Sequence, residues 1–126
     1  MRRALAAVLG LALATAPATP ARAHATLVAS SPARQASLEE SPARVELTFS
    51  ERLEPAYARL SVESAAGARV DLGDASVAPG DARRLRVSLP PLPPGPYVVR
   101  FRVLSVDGHV AESSFPFTVR GRAATR

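Results

Sequence analysis

The side chains best suited to metal chemistry in this chain are its two histidines, His24 and His109. His24 directly follows Ala21-Arg22-Ala23, a small-x-small tripeptide of the kind after which signal peptidase cuts. A cut there makes His24 the first residue of the secreted chain. A terminal histidine offers a metal its free α-amine and ring Nδ1 together, closing a six-membered chelate ring that no internal histidine can form. His109 stands in Asp107-Gly108-His109. In extended backbone residues i and i+2 face the same side, about 6.6 Å apart at a rise of ~3.3 Å per residue, and Gly108 lets the chain bend. An amine nitrogen, two imidazole nitrogens and a carboxylate oxygen suit tetragonal Cu(II), which stands at the top of the divalent affinity order. Asp-Gly is equally a common turn dipeptide, so Asp107-Gly108-His109 also reads as a plain loop between strands. Spacing alone does not bring His24 to it.

The segment ahead of His24 reads as a secretory signal. Arg2 and Arg3 form a positive start, Ala4 to Ala14 a short apolar run, and Thr15 to Ala23 the region leading to the cut. The apolar run is shorter than the roughly 20 residues a bilayer span needs, so removal is expected rather than anchoring. The paired arginines lack the surroundings of a twin-arginine signal, which favours the general secretory route. No later segment is apolar enough for a transmembrane helix. The expected organisation is a signal peptide at 1–23, one domain at 24–120 and a frayed tail at 121–126, the mature product being soluble, without membrane insertion after cleavage.

Composition narrows the chemistry further. The net charge of +5 counts Arg2, Arg3 and Arg22, so the mature chain is closer to neutral. All 16 basic residues are arginine, scattered among acids, which argues against a nucleic-acid surface. The absence of cysteine excludes thiolate metal sites and cysteine nucleophiles, and it leaves a small secreted domain to be held by its apolar core rather than by disulfides.

The elements that must carry the ligands are strands. Val45, Leu47 and Phe49 alternate with Glu46, Thr48 and Ser50; Leu60 and Val62 lie between Arg59, Ser61 and Glu63; Leu85, Val87 and Leu89 lie between Arg84, Arg86 and Ser88. Each is a half-buried strand. The run from Pro90 to Pro96 is a connection, because prolines remove ladder donors. Beyond it, Tyr97 to Val106 places Val99, Phe101, Val103 and Ser105 on one face, and Ser114 to Arg120 alternates Phe115, Phe117 and Val119, with Pro116 marking an edge or bulge. Thr26 to Ala29 and Val70 to Leu72 complete about seven strands in roughly 100 residues, the size of an immunoglobulin-like sandwich. Without the cysteine pair and tryptophan of immunoglobulins, an all-β, seven-stranded Greek-key β-sandwich of another, cupredoxin-like lineage is expected.

From His24 onward the chain resembles the CopC family of periplasmic copper-binding proteins. The resemblance is carried by His24-Ala25-Thr26-Leu27, Ser31-Pro32-Ala33, Ser41-Pro42-Ala43 and Val45-Glu46-Leu47-Thr48-Phe49-Ser50-Glu51 in the first half. Pro94-Gly95-Pro96-Tyr97, Arg102-Val103, Ser105-Val106-Asp107-Gly108-His109 and Phe115-Pro116-Phe117-Thr118-Val119 carry it in the second. The resemblance implies a seven-stranded Greek-key sandwich binding one Cu(II) through the amine and imidazole of His24 with Asp107 and His109. It nominates Glu51, beside the metal ligands, to orient a ligand or an axial water; the residue also reads as a solvated acid after a strand. It further implies a monomer acting in copper resistance, sequestration or delivery to a CopD-like inner-membrane protein, in the periplasm or outside the membrane of a Gram-positive cell. Some members carry a methionine-rich Cu(I) site, which the single methionine here, Met1, excludes. Val110 and Ser113 replace the family's usual Pro and Gly, and Phe101 stands where Trp is common; these departures touch turn and packing details rather than ligands.

Two other classes compete. An N-terminal histidine brace also resembles copper-dependent polysaccharide monooxygenases, but those are larger and need an exposed aromatic face. This chain has Tyr57, Tyr97 and four phenylalanines, mostly at core-like positions, and a carboxylate in the copper plane fills a position that oxygen chemistry needs open. No catalytic role is therefore expected. Ser113 and Ser114 near His109 lack a nucleophile elbow. A metal-free structural sandwich is the remaining alternative, and it predicts no change in melting temperature with Cu(II).

Overall fold

The computed structural model describes Gly10 and residues 26–121. The signal segment, the cleavage tripeptide, His24 and the tail at 122–126 therefore lie outside the described residues. The chain forms strands β1 (Leu27–Ser31), β2 (Ser37–Leu38), β3 (Arg44–Phe49), β4 (Arg59–Ser64), β5 (Ser76–Val77), β6 (Arg84–Ser88), β7 (Gly95–Leu104) and β8 (Val110–Val119), with a 3₁₀ turn at Pro55–Tyr57. They make two four-stranded sheets, ordered β1-β3-β6-β5 and β2-β8-β7-β4. All pairings are antiparallel except β2 with β8. This is the all-β sandwich expected.

The alternation read from sequence is the alternation of burial. Val45, Leu47 and Phe49 of β3, Leu85 and Val87 of β6, Leu60 and Val62 of β4, and Val99, Phe101 and Val103 of β7 are all buried between the sheets, because successive residues of a strand face opposite sides. Phe49 and Phe101 meet edge to face across the two sheets at 5.3 Å, a favoured aromatic geometry. Tyr97 stacks on Phe117 at 5.5 Å and donates its hydroxyl to the Pro93 carbonyl at 2.5 Å, so the polar end of this buried ring is satisfied at the proline-rich connection.

The strand inventory differs in detail from the sequence expectation. Val70–Leu72 is not a strand; Arg69 makes an isolated bridge to Glu63, and the Val70 N–H donates to the Val62 carbonyl. Two-residue segments, Ser37–Leu38 and Ser76–Val77, pair instead, and neither is long enough to show alternation. Strand β8 begins at Val110 rather than at 114, since its ladder with β7 runs unbroken from Leu104↔Val110 to Gly95↔Val119. Pro116 sits within β8 without costing a ladder bond. Its carbonyl accepts the Gln35 N–H at 2.7 Å, so that side of the residue faces away from β7, and β2 pairs only with Thr118 and Val119. The edge character signalled by Pro116 is thus local to one side of the strand.

Candidate metal centre

The β7–β8 hairpin ends in the loop Val106-Asp107-Gly108. It is closed by the Ser105 N–H donating to the His109 carbonyl and the Gly108 N–H to the Ser105 carbonyl, both at 2.9 Å. Gly108 has φ +91°, a left-handed conformation that glycine adopts without strain and that three-residue hairpin loops commonly need. Turn and ligand pair are therefore not rival descriptions of Asp107-Gly108-His109: the turn puts the two side chains side by side. Asp107 Oδ2 and His109 Nδ1 lie 3.3 Å apart, with 36% and 43% of the side chains exposed.

Ser105 underlies this arrangement. It is 1% exposed and, among the described residues, the one polar residue buried in both backbone and side chain. Its hydroxyl donates to Asp107 Oδ1 and accepts the His109 N–H at 3.2 Å. With Oδ1 held by Ser105, the carboxylate presents Oδ2 to the imidazole. The Ser105 hydrogen bond is also the main reason the Asp107 carboxyl titrates below its ordinary value; partial desolvation opposes it, and the hydrogen bond and charge of His109 add to it. Sequence reasoning placed Ser105 on the inner face of its strand but gave it no role. The available signal was a polar residue at a position where alternation demands an apolar one.

Two backbone connections bring other parts of the chain to this hairpin end. The Val106 N–H donates to the Arg52 carbonyl at 2.9 Å, and Leu53 bridges Ser105. One residue before Arg52 is Glu51, and one before that Ser50, which exchanges two bonds with Thr26: Thr26 N–H to Ser50 Oγ at 2.9 Å and Ser50 N–H to the Thr26 carbonyl at 2.8 Å. Thr26 is thus pinned to the segment that also touches the Asp107 loop. Among the described residues, no three His, Cys, Asp or Glu side chains are grouped closely enough to hold a metal. Asp107 and His109 are brought together, and Glu51 does not complete a three-donor group with them.

The molecule is thus a two-sheet β-sandwich with an Asp–His pair on a glycine-bent hairpin at one end. The family model for the CopC domain matches residues 27–120, and the chain belongs to the CopC family. Its fold resembles CopC from Methylosinus trichosporium OB3b, with a TM-score of 0.71 and 36% identity over 82% of this chain and 100% of that one. It also resembles PcoC, a methionine-rich copper resistance protein from Escherichia coli, with a TM-score of 0.66 and 30% identity over 78% of this chain and 100% of that one. In sequence it is 32% identical over 98 residues to the copper transport protein CutJ of Bacillus subtilis; the match covers 77% of this chain but 18% of CutJ. Family membership also sets aside the oxidative-enzyme alternative, and the chain is not an enzyme.

Proposed function

We propose that this protein is a Cu(II) carrier or buffer that binds one ion per chain through the α-amine and imidazole of His24 together with Asp107 and His109. The observation that carries the reading is the preset pair: a carboxylate oxygen and an imidazole nitrogen 3.3 Å apart on one hairpin loop. A borderline nitrogen and a hard oxygen suit Cu(II). Two donors make half a site; the tie of Thr26 to Ser50, and of Val106 to the adjoining Arg52, supports a further contribution from the residues just ahead of Thr26. Asp107 is held by Ser105 before any ion arrives, which reduces the ordering that binding must impose.

The neighbours support copper as the cargo, since PcoC is described as a copper resistance protein and CutJ as a copper transport protein. This sequence contains one methionine, Met1, so a thioether Cu(I) site like that suggested by the methionine-rich description of PcoC has no donors here. In CutJ the matching segment is a minor part of a longer chain described as a copper transport protein. That supports delivery to, or exchange with, a separate membrane protein of the CopD kind, with secretion to the periplasm or the outer face of a Gram-positive membrane, the chain acting as a monomer. Glu51, between the two tethers, is assigned to the surroundings of the ion, where it orients a ligand or a water.

Intact mass of the secreted protein with and without Cu(II) tests the core of this reading. The expected result is a chain beginning at His24 that gains one copper. A chain beginning elsewhere, or one that gains none, overturns it.

A further inference from the structure

The outer face of the β2-β8-β7-β4 sheet carries a groove of about 500 Å³ that begins two residue pairs below the Asp107–His109 hairpin loop. Four arginines line it, Arg59, Arg69, Arg100 and Arg102, against one acid, Glu112. The register explains how they gather. Arg59 of β4 is directly opposite Arg102 of β7, which is opposite Glu112 of β8; two rungs further, on the same face, Ser61, Arg100 and Ser114 stand in line. All six face outward, because the alternate residues Leu60, Val62, Phe101 and Phe115 are buried.

Like charges directly opposite on neighbouring strands are destabilising, so the Arg59–Arg102 rung calls for a counter-charge. The protein itself supplies little. Among the described residues, the only hydrogen bond of the Arg59 guanidinium is to the Ala58 carbonyl at 3.4 Å, and no acid lies within ion-pair distance of it. Arg102 reaches Glu112 at 3.6 Å, with 59% and 70% of the two side chains exposed, a geometry that contributes little in water. Arg100 and Arg69 are better occupied, by Glu63 at 3.0 Å and by Asp71 at 2.9 Å. Arg59 and Arg102 are therefore the two guanidinium forks available to a ligand, and arginine forks match the oxygens of tetrahedral oxyanions in pairs.

We propose that this groove binds a phosphate group between Arg59 and Arg102. The phosphate is that of a dissolved phosphate or of an anionic lipid headgroup. The site stands apart from the metal reading and is unaffected if that reading fails.

The test uses the secreted chain in two arms, with ionic strength held constant by sodium chloride. In the first, inorganic phosphate is titrated by calorimetry into the wild type, Arg59→Gln, the double variant Arg59→Gln/Arg102→Gln, and Arg44→Gln as a charge control on the opposite sheet. In the second, the same proteins are floated with phosphatidylcholine vesicles with and without phosphatidylglycerol. The expected result is binding in at least one arm that weakens about tenfold or more in Arg59→Gln, is lost in the double variant and persists in Arg44→Gln. Saturation by free phosphate assigns the dissolved source, and binding only to phosphatidylglycerol vesicles assigns the lipid. Absence of binding in both arms overturns the proposal, as does equal weakening by Arg44→Gln. Circular dichroism establishes that each variant is folded, which exposed arginines should permit.

Discussion

Replacing Ser105 by alanine separates the structural and the functional parts of the hairpin tip. The residue is 1% exposed, and its hydroxyl both accepts the His109 N–H at 3.2 Å and donates to Asp107. A neutral hydrogen bond contributes about 1 kcal/mol net, so losing the one from His109 N–H lowers the melting temperature by roughly 4–8 °C in a domain of about 100 residues. The second loss acts on Asp107: without its donor the carboxylate is free to rotate, and its titration moves back up toward the ordinary carboxylate range. Removing a residue that orients a metal ligand typically lowers metal affinity by about 10–100-fold. The assay is competitive Cu(II) titration against a chelator of known affinity, run beside a thermal melt, with His109→Ala as the reference for loss of a ligand. Ser105→Ala is expected to bind at least tenfold more weakly than the wild type, with His109→Ala weaker still. If Ser105→Ala melts lower yet holds Cu(II) within about twofold of the wild type while His109→Ala loses it, Ser105 supports only the fold, and the orienting argument is refuted.

Three other outcomes follow from the same geometry and are measurable with standard binding and unfolding assays. Adding one residue ahead of His24 removes the terminal amine while leaving both imidazoles, so Cu(II) affinity should fall steeply; unchanged affinity in the titration would show that the terminal chelate is wrong. Copper binding should weaken as pH falls from 8 to 6 and release protons, because amine and imidazole nitrogens coordinate only when neutral and have reference pKa values of about 7.7–8.0 and 6.5; equal affinity across that range contradicts the ligand set. Asp71, whose side chain is wholly buried, should be a structural acid. Burial pushes its carboxyl up, but the bonds from Arg69, Val62 N–H and Gly73 N–H outweigh burial and hold it below its ordinary value of 3.8. Its folded titration thus lies below the unfolded one, so its stabilisation is complete above that ordinary value and is lost as pH falls through the lower folded one. Asp71→Asn should cost about 2–3 kcal/mol at neutral pH and flatten the acid limb of the stability curve; urea unfolding at a series of pH values checks both.

What the sequence determined by itself was whatever depends on alternation and inventory. Val45, Leu47, Phe49, Leu85, Val87, Phe115 and Phe117 announced their buried face, because a two-residue period is written directly into side-chain polarity. The absence of cysteine and the single methionine bounded the metal chemistry before any fold was known. The pairing of Asp107 with His109 was legible from an i, i+2 spacing around a glycine. Tertiary structure decided the rest, since it concerns residues far apart in the chain. The short strands Ser37–Leu38 and Ser76–Val77 exist only through their partners β8 and β6. Pro116 is harmless because of which side of β8 it turns outward. The Arg59–Arg102 rung arises from strand register, which no local pattern encodes. Above all, the tethering of Thr26 and Val106 to the one segment Ser50–Arg52 required the two sheets to close. Only that closure brings Thr26 and the Asp107–His109 pair to the same end of the molecule.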